Sequence, residues 1–144
     1  MRQPTNSFKA SQGEFRQVTG VPMSPKAMVV DDSKAIRMIL SKSLAEMGYE
    51  VCSAADGAEA LSLMREGISL VLVDWNMPRM NGLDFVKQLR ADPRYSPVTV
   101  MMVTTETEIE QMVTALAAGA NEYVMKPFTK EIIEDKLRLL GLLA

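Results

Sequence analysis

The chain has 144 residues, 47% hydrophobic and 24% charged, with a formal net charge of −2. That is enough for one soluble globular domain, and it gives no basic field to attract nucleic acid or an anionic membrane. Histidine is absent and Cys52 is the single cysteine, so imidazole general bases, Ser-His-Asp triads, soft-metal sites and an internal disulfide are all excluded. Chemistry must come from carboxylates, hydroxyls, lysines and a hard cation. With no apolar run of membrane-spanning length and no signal-peptide block, the expected compartment is the cytoplasm.

Residues 1–24 read as a flexible N-terminal extension. They are rich in Gln, Ser, Thr, Asn and Pro without apolar periodicity, and Arg2, Lys9 and Arg16 against Glu14 give them a charge of +2. Residues 25–144 read as the domain. Ala27–Val30 is a short apolar run that ends at Asp31 and Asp32. Ile36, Ile39, Leu40, Leu44 and Met47 recur at helical spacing until Gly48. A strand over 49–54 and a short helix over 58–64 follow. Leu70–Val73 is continuously apolar, as in a strand buried on both faces, and runs into Asp74. A loop with Pro78 and Gly82 leads to a helix over 83–90, closed off by Pro93. The strand over 98–103 ends at Thr104, and a helix over 109–117 stops near Gly119. Tyr123–Met125 forms the fifth strand and ends at Lys126 and Pro127; Ile132, Ile133, Leu137 and Leu140 stripe the last helix.

Five strand–helix units in succession imply an α/β fold: a parallel sheet covered on both faces, because parallel strands need crossover helices. Ligands of such sheets gather outside the carboxyl ends of the strands. The unusual polar residues all fall at those ends: Asp31 and Asp32 after the first strand, Asp74 after the third, Thr104 on the fourth and Lys126 on the fifth.

Three carboxylates brought together repel unless a cation intervenes. Oxygen ligands alone select a hard divalent ion, Mg²⁺ being the abundant one. Asp32 and Asp74 are the expected direct ligands, Asp31 acts through water, and the backbone carbonyl of Asn76 is the expected third ligand. Lys126 and Thr104 facing a metal-bound carboxylate suggest phosphoryl transfer, with Asp74 as the nucleophile. Singly, each residue has a plain structural explanation: Asp31 and Asp32 as helix-capping acids, Asp74 as a turn residue, Thr104 as a β-branched strand residue, and Lys126 as a solvated surface lysine. Their joint position at one edge favours the site.

The run Val29-Val30-Asp31-Asp32-Ser33, then Asp74-Trp75-Asn76-Met77-Pro78 with Asn81-Gly82, then Met102-Val103-Thr104 and Tyr123-Val124-Met125-Lys126-Pro127-Phe128, resembles the receiver domains of two-component response regulators, most closely the chemotaxis type. The resemblance spans about residues 26–143. It implies a flavodoxin-like (βα)5 doubly wound sheet with strand order 2-1-3-4-5. It makes Asp74 the phosphoacceptor, Asp31 and Asp32 the acidic metal pair, Thr104 the switch hydroxyl, Tyr123 the switch aromatic and Lys126 the phosphate-contacting lysine before a cis proline. Asn76 and Glu106 match positions that tune self-dephosphorylation. Thr105 departs from the small residue usual there.

The implied donor is a sensor histidine kinase. The implied output is a downstream protein on the face of the fourth helix, fifth strand and fifth helix, such as a flagellar motor switch, read by a monomer with no separate output domain and no DNA contact. A phosphorelay shuttle or a regulator outside chemotaxis would share these residues. A haloacid-dehalogenase-type phosphatase would need an acid two residues after the nucleophile, where Asn76 stands. A receiver-like module that never takes phosphate would not need the whole polar set.

Overall fold

A computed structural model describes residues 24–105 and 109–143. The expected N-terminal extension, except Ser24, and Glu106 lie outside the described residues. The elements run β1 (Lys26–Val30), α1 (Lys34–Glu46), β2 (Glu50–Ala54), α2 (Gly57–Leu63), β3 (Ile68–Val73), α3 (Gly82–Arg90), a 3₁₀ turn (Pro93–Tyr95), β4 (Thr99–Thr104), α4 (Ile109–Ala118), β5 (Glu122–Met125) and α5 (Lys130–Leu139). The five strands form one parallel sheet in the order β2-β1-β3-β4-β5, as the resemblance implied. Most boundaries fall within a residue of the expected ones, and two differences stand out. β3 starts at Ile68, because Ile68 pairs with Lys26 across an irregularity in the register. Pro93 opens a 3₁₀ turn capped by Asp92, whose side chain accepts from the Arg94 N–H.

Side chains alternate across the pleat and split the core into two layers. Met28, Val30, Val71, Val73, Val100 and Met102 face one side, against Ala60 of α2, Phe85 and Leu89 of α3 and Ala115 of α4. Ala27, Val29, Leu70, Leu72, Met101 and Val103 face the other, against Leu40 and Leu44 of α1 and Ile133 and Leu137 of α5. Each buried Leu, Val or Phe contributes about 1.5–3 kcal/mol, so β1, β3 and β4 are anchored from both faces and their carboxyl ends form a firm platform.

The helices that leave this edge are capped by short polar side chains. Ser33 accepts from the Ile36 N–H, Asp56 from Glu59, Asn81 from Asp84 and Thr129 from Ile132, each satisfying one orphan donor of a first turn. Replacing Asn81 by Ala, which removes the 2.8 Å bond to Asp84, is expected to cost about 1 kcal/mol, seen as a lower urea midpoint at unchanged slope.

Among the described residues no helix is long and apolar enough to cross a membrane.

Candidate metal centre

The site follows from strand register. Val30 pairs with Val73 across β1 and β3, so Asp31 and Asp74, the next residue in each strand's path, emerge side by side. The Asp74 N–H donates to the Val30 carbonyl at 2.9 Å. Thr104 pairs with Met125 across β4 and β5, and the Lys126 N–H donates to the Thr104 carbonyl at 2.8 Å. Hydrophobic strands thus deliver four polar side chains, Asp31, Asp74, Thr104 and Lys126, to one edge.

One carboxylate oxygen from each of Asp31, Asp32 and Asp74 lies within 4.8 Å of the others. Asp31 is buried and both its oxygens are engaged: Oδ1 accepts from the Ser33 N–H at 2.9 Å and Oδ2 from Lys126 Nζ at 2.8 Å. Its carbonyl accepts from the Arg37 guanidinium at 2.7 Å. Asp32 is exposed. Asp74 is 7% exposed; its Oδ2 lies 3.4 Å from Lys126 Nζ, and its Oδ1 is buried with no hydrogen-bond partner. Thr104 is fully buried and hydrogen-bonds the Asp74 side chain. Tyr123 is buried beneath the edge, in the same core layer as Val73 and Met102. Asn76 and Thr105 are exposed on the loops beside the cluster. The Lys126–Pro127 peptide is cis.

Burial pushes the Asp74 carboxyl above the ordinary range; Lys126 opposes this, the charge on Asp31 adds to it, and Thr104 opposes it again. For Lys126 burial alone would lower the ammonium, but the Asp31 hydrogen bond and the charges on Asp74 and Asp31 outweigh it, and its pKa rises. The lysine is therefore held charged, while ionised Asp74 is the uncomfortable partner. A buried acceptor left unsatisfied costs about 1–3 kcal/mol, more when charged, and a hard divalent cation would relieve that cost. The three oxygens and the orphaned Asp74 Oδ1 fit Mg²⁺: the ligands are hard and acidic, and a Mg²⁺ ion retaining waters needs few protein ligands.

Two further features carry no signal of spacing or periodicity. A Cβ on Gly82 would lie 2.0 Å from the Asp74 carbonyl oxygen, so only glycine lets α3 start against the strand end. Arg79 has φ 66°, the one positive value at a non-glycine residue among those described, a conformation that costs about 1–2 kcal/mol for an L-residue. Its Nε donates to Asp56 Oδ2 at 2.9 Å and its Nη2 to the same oxygen. The sequence hints only at turns, through Pro78 and the Asp56-Gly57 pair.

Comparison with known proteins places this geometry. A family model for the response regulator receiver domain matches residues 27–138. The chain is 42% identical over 118 residues to the chemotaxis protein CheY1 of Helicobacter pylori, covering 80% of this chain and 95% of that one. It is 43% identical over 115 residues to the chemotaxis protein CheY homolog of Campylobacter jejuni, covering 78% and 88%. Among solved structures, the chemotaxis response regulator CheY4 of Vibrio cholerae superposes with a TM-score of 0.76 at 38% identity, covering 82% of this chain and 99% of that one.

Proposed function

The chain belongs to the response regulator receiver family, and from that premise we propose that Asp74 takes a phosphoryl group from a sensor histidine kinase in chemotaxis or motility signalling. Receiver domains of this family are signalling modules rather than turnover enzymes. On this reading residues 25–144 are the receiver domain and 1–24 an extension to it. Mg²⁺ would be held by Asp32, Asp74 and the Asn76 carbonyl, with Asp31 acting through water. The observation that carries the reading is the buried, unpartnered Asp74 Oδ1 beside Lys126, Thr104 and two more aspartates.

A carboxylate oxygen of Asp74 attacks phosphorus in line, the P–N bond of the donor phosphohistidine breaks, and the electron pair leaves with the imidazole, which takes up a proton. No base on this chain is needed, because the carboxylate is the nucleophile and carries no proton to remove. When bound, Mg²⁺ offsets charge on the transferring group. Lys126 stabilises another phosphoryl oxygen and Thr104 donates a hydrogen bond to it. By the family resemblance Asn76 and Glu106, the latter outside the described residues, tune the rate at which water later hydrolyses the acyl phosphate.

The new charge draws the Thr104 hydroxyl inward, and buried Tyr123 couples that movement to the face of α4, β5 and α5 by a shift between two pre-existing states. That face is apolar: Ile109, Val113 and Leu116 on α4, Met125 on β5, and Ile132 and Leu139 on α5 are all exposed large hydrophobics. A protein partner is the reading this surface favours, and the likeness to chemotaxis proteins points to the motility machinery.

Intact-mass measurement after incubation with a small-molecule phosphodonor tests the proposal. One base-labile phosphoryl adduct per chain is expected with Mg²⁺ and none with excess chelator. Adducts formed equally without metal would overturn the metal-assisted site.

A further inference from the structure

Asn76 lies in the loop between β3 and α3, and that loop is tied down away from the carboxylates. The Gly82 N–H donates to the Trp75 carbonyl at 2.8 Å, Met80 N–H to Pro78 at 2.7 Å, and Gly57 N–H to Met80 at 3.1 Å. The fourth tie is the ion pair of Arg79 with Asp56, at the start of α2. Its two members are very unlike: the Asp56 side chain is 4% exposed and that of Arg79 70%. Asp56 is fully used. Its Oδ1 caps α2 through the Glu59 N–H at 2.9 Å, and its Oδ2 receives both Arg79 nitrogens. The capping bond first, and then Arg79, hold the Asp56 carboxyl below the usual carboxylate range.

We infer that the Asp56–Arg79 pair is a positioning clamp that sets the affinity of the site for its divalent cation. The inference rests on the functional reading above, in which the Asn76 carbonyl is a ligand. Asp74 is fixed at one end of the loop by its bond to Val30, and Arg79, five positions on, is fixed at the other by Asp56. Arg79 sits in the left-handed region that an L-residue leaves unless something holds it. Without the ion pair the backbone at residue 79 relaxes, and the relaxation propagates through Pro78 and Met77 to Asn76. A ligand carbonyl displaced by a fraction of an ångström is poorly tolerated by octahedral Mg²⁺. Outer partners of this kind commonly change metal affinity by a factor of ten or more.

The test is Mg²⁺ titration of the full chain, followed by the fluorescence of Trp75, the single tryptophan, which adjoins Asp74. Asp56→Asn keeps a helix-capping side chain but removes the charge. Arg79→Ala removes the clamp and leaves a residue that does not favour the left-handed conformation. Each variant is expected to bind Mg²⁺ roughly tenfold more weakly, with a native far-ultraviolet circular dichroism spectrum, and the double variant to bind no more weakly than the weaker single. Should Asp56→Asn fail to fold, Arg79→Ala decides by itself, since the Arg79 side chain faces solvent. Wild-type affinity in Arg79→Ala, with only a lower urea midpoint, would reduce the pair to a structural tie and overturn the inference; so would losses that add in the double variant. A wild-type chain whose fluorescence and thermal stability both ignore Mg²⁺ would overturn the functional reading, and the clamp with it.

Discussion

Asp74→Asn is expected to abolish phosphoryl transfer completely while making the metal-free protein more stable at neutral pH. Loss of transfer follows from the chemistry: an amide oxygen is a far weaker nucleophile than a carboxylate, and Asp74 is the carboxylate that Lys126 and Thr104 both contact. The gain in stability follows from the electrostatics. Burial raises the native pKa of Asp74 above its unfolded value, with Lys126 only partly opposing. The native state then binds the proton more tightly than the unfolded chain, so stability falls as pH rises from the ordinary carboxylate pKa through the raised native one. Above that window the penalty is fully present, and below it the penalty vanishes. Asn removes the titration. The variant should therefore exceed wild type by on the order of 1 kcal/mol at pH 7, and the difference should close below about pH 4. Urea midpoints at both pH values, in chelator, measure it. Saturating Mg²⁺ should reverse the order, because only the wild type gains the full linkage energy of binding. A variant less stable than wild type at pH 7 without metal would contradict the assignment of Asp74 as the strained ion.

Gly82→Ala is expected to be the most damaging change of a single methyl group near the site. The added Cβ would stand 2.0 Å from the Asp74 carbonyl oxygen and 3.1 Å from the Trp75 Cα. Both are backbone atoms that cannot swing aside like the end of a flexible side chain. Either the Asp74 peptide tilts or the first turn of α3 withdraws, breaking the bond from the Gly82 N–H to the Trp75 carbonyl. Forced overpacking of this kind costs about 1–3 kcal/mol, and the loss falls on the residue proposed to present its carboxylate to the phosphoryl group. A urea midpoint lowered by that amount, together with weakened Mg²⁺ binding, is the expected outcome. Unchanged values for both would mean that the close approach does not constrain the site.

Both predictions rest on a site whose parts were unequally legible in the sequence. The acids, the hydroxyl and the lysine stood out because each follows an apolar run short enough to be a strand, and an open parallel sheet sends its strand ends to one edge. The apolar face around α4 and α5 was placed only through the family resemblance. The Asp56–Arg79 pair was not visible: the two are 23 positions apart, neither lies on a periodic stripe, and each alone reads as a turn or surface residue. Glu106, matched by position, falls outside the described residues.

The amino-acid sequence alone determined the alternation of strands and helices, the absence of imidazole and soft-ligand chemistry, and the identity of the polar residues at the strand ends. These depend on local pattern and composition, which need no knowledge of what packs where. Only the tertiary structure decided that Asp31 is spent on Ser33 and Lys126 while an Asp74 oxygen stays unpartnered, that Gly82 abuts the Asp74 carbonyl, and that an arginine in a left-handed turn is tied to a buried acid of another loop. Those are distances between segments remote in the chain, set by strand register and the approach of neighbouring loops, and no local pattern encodes them.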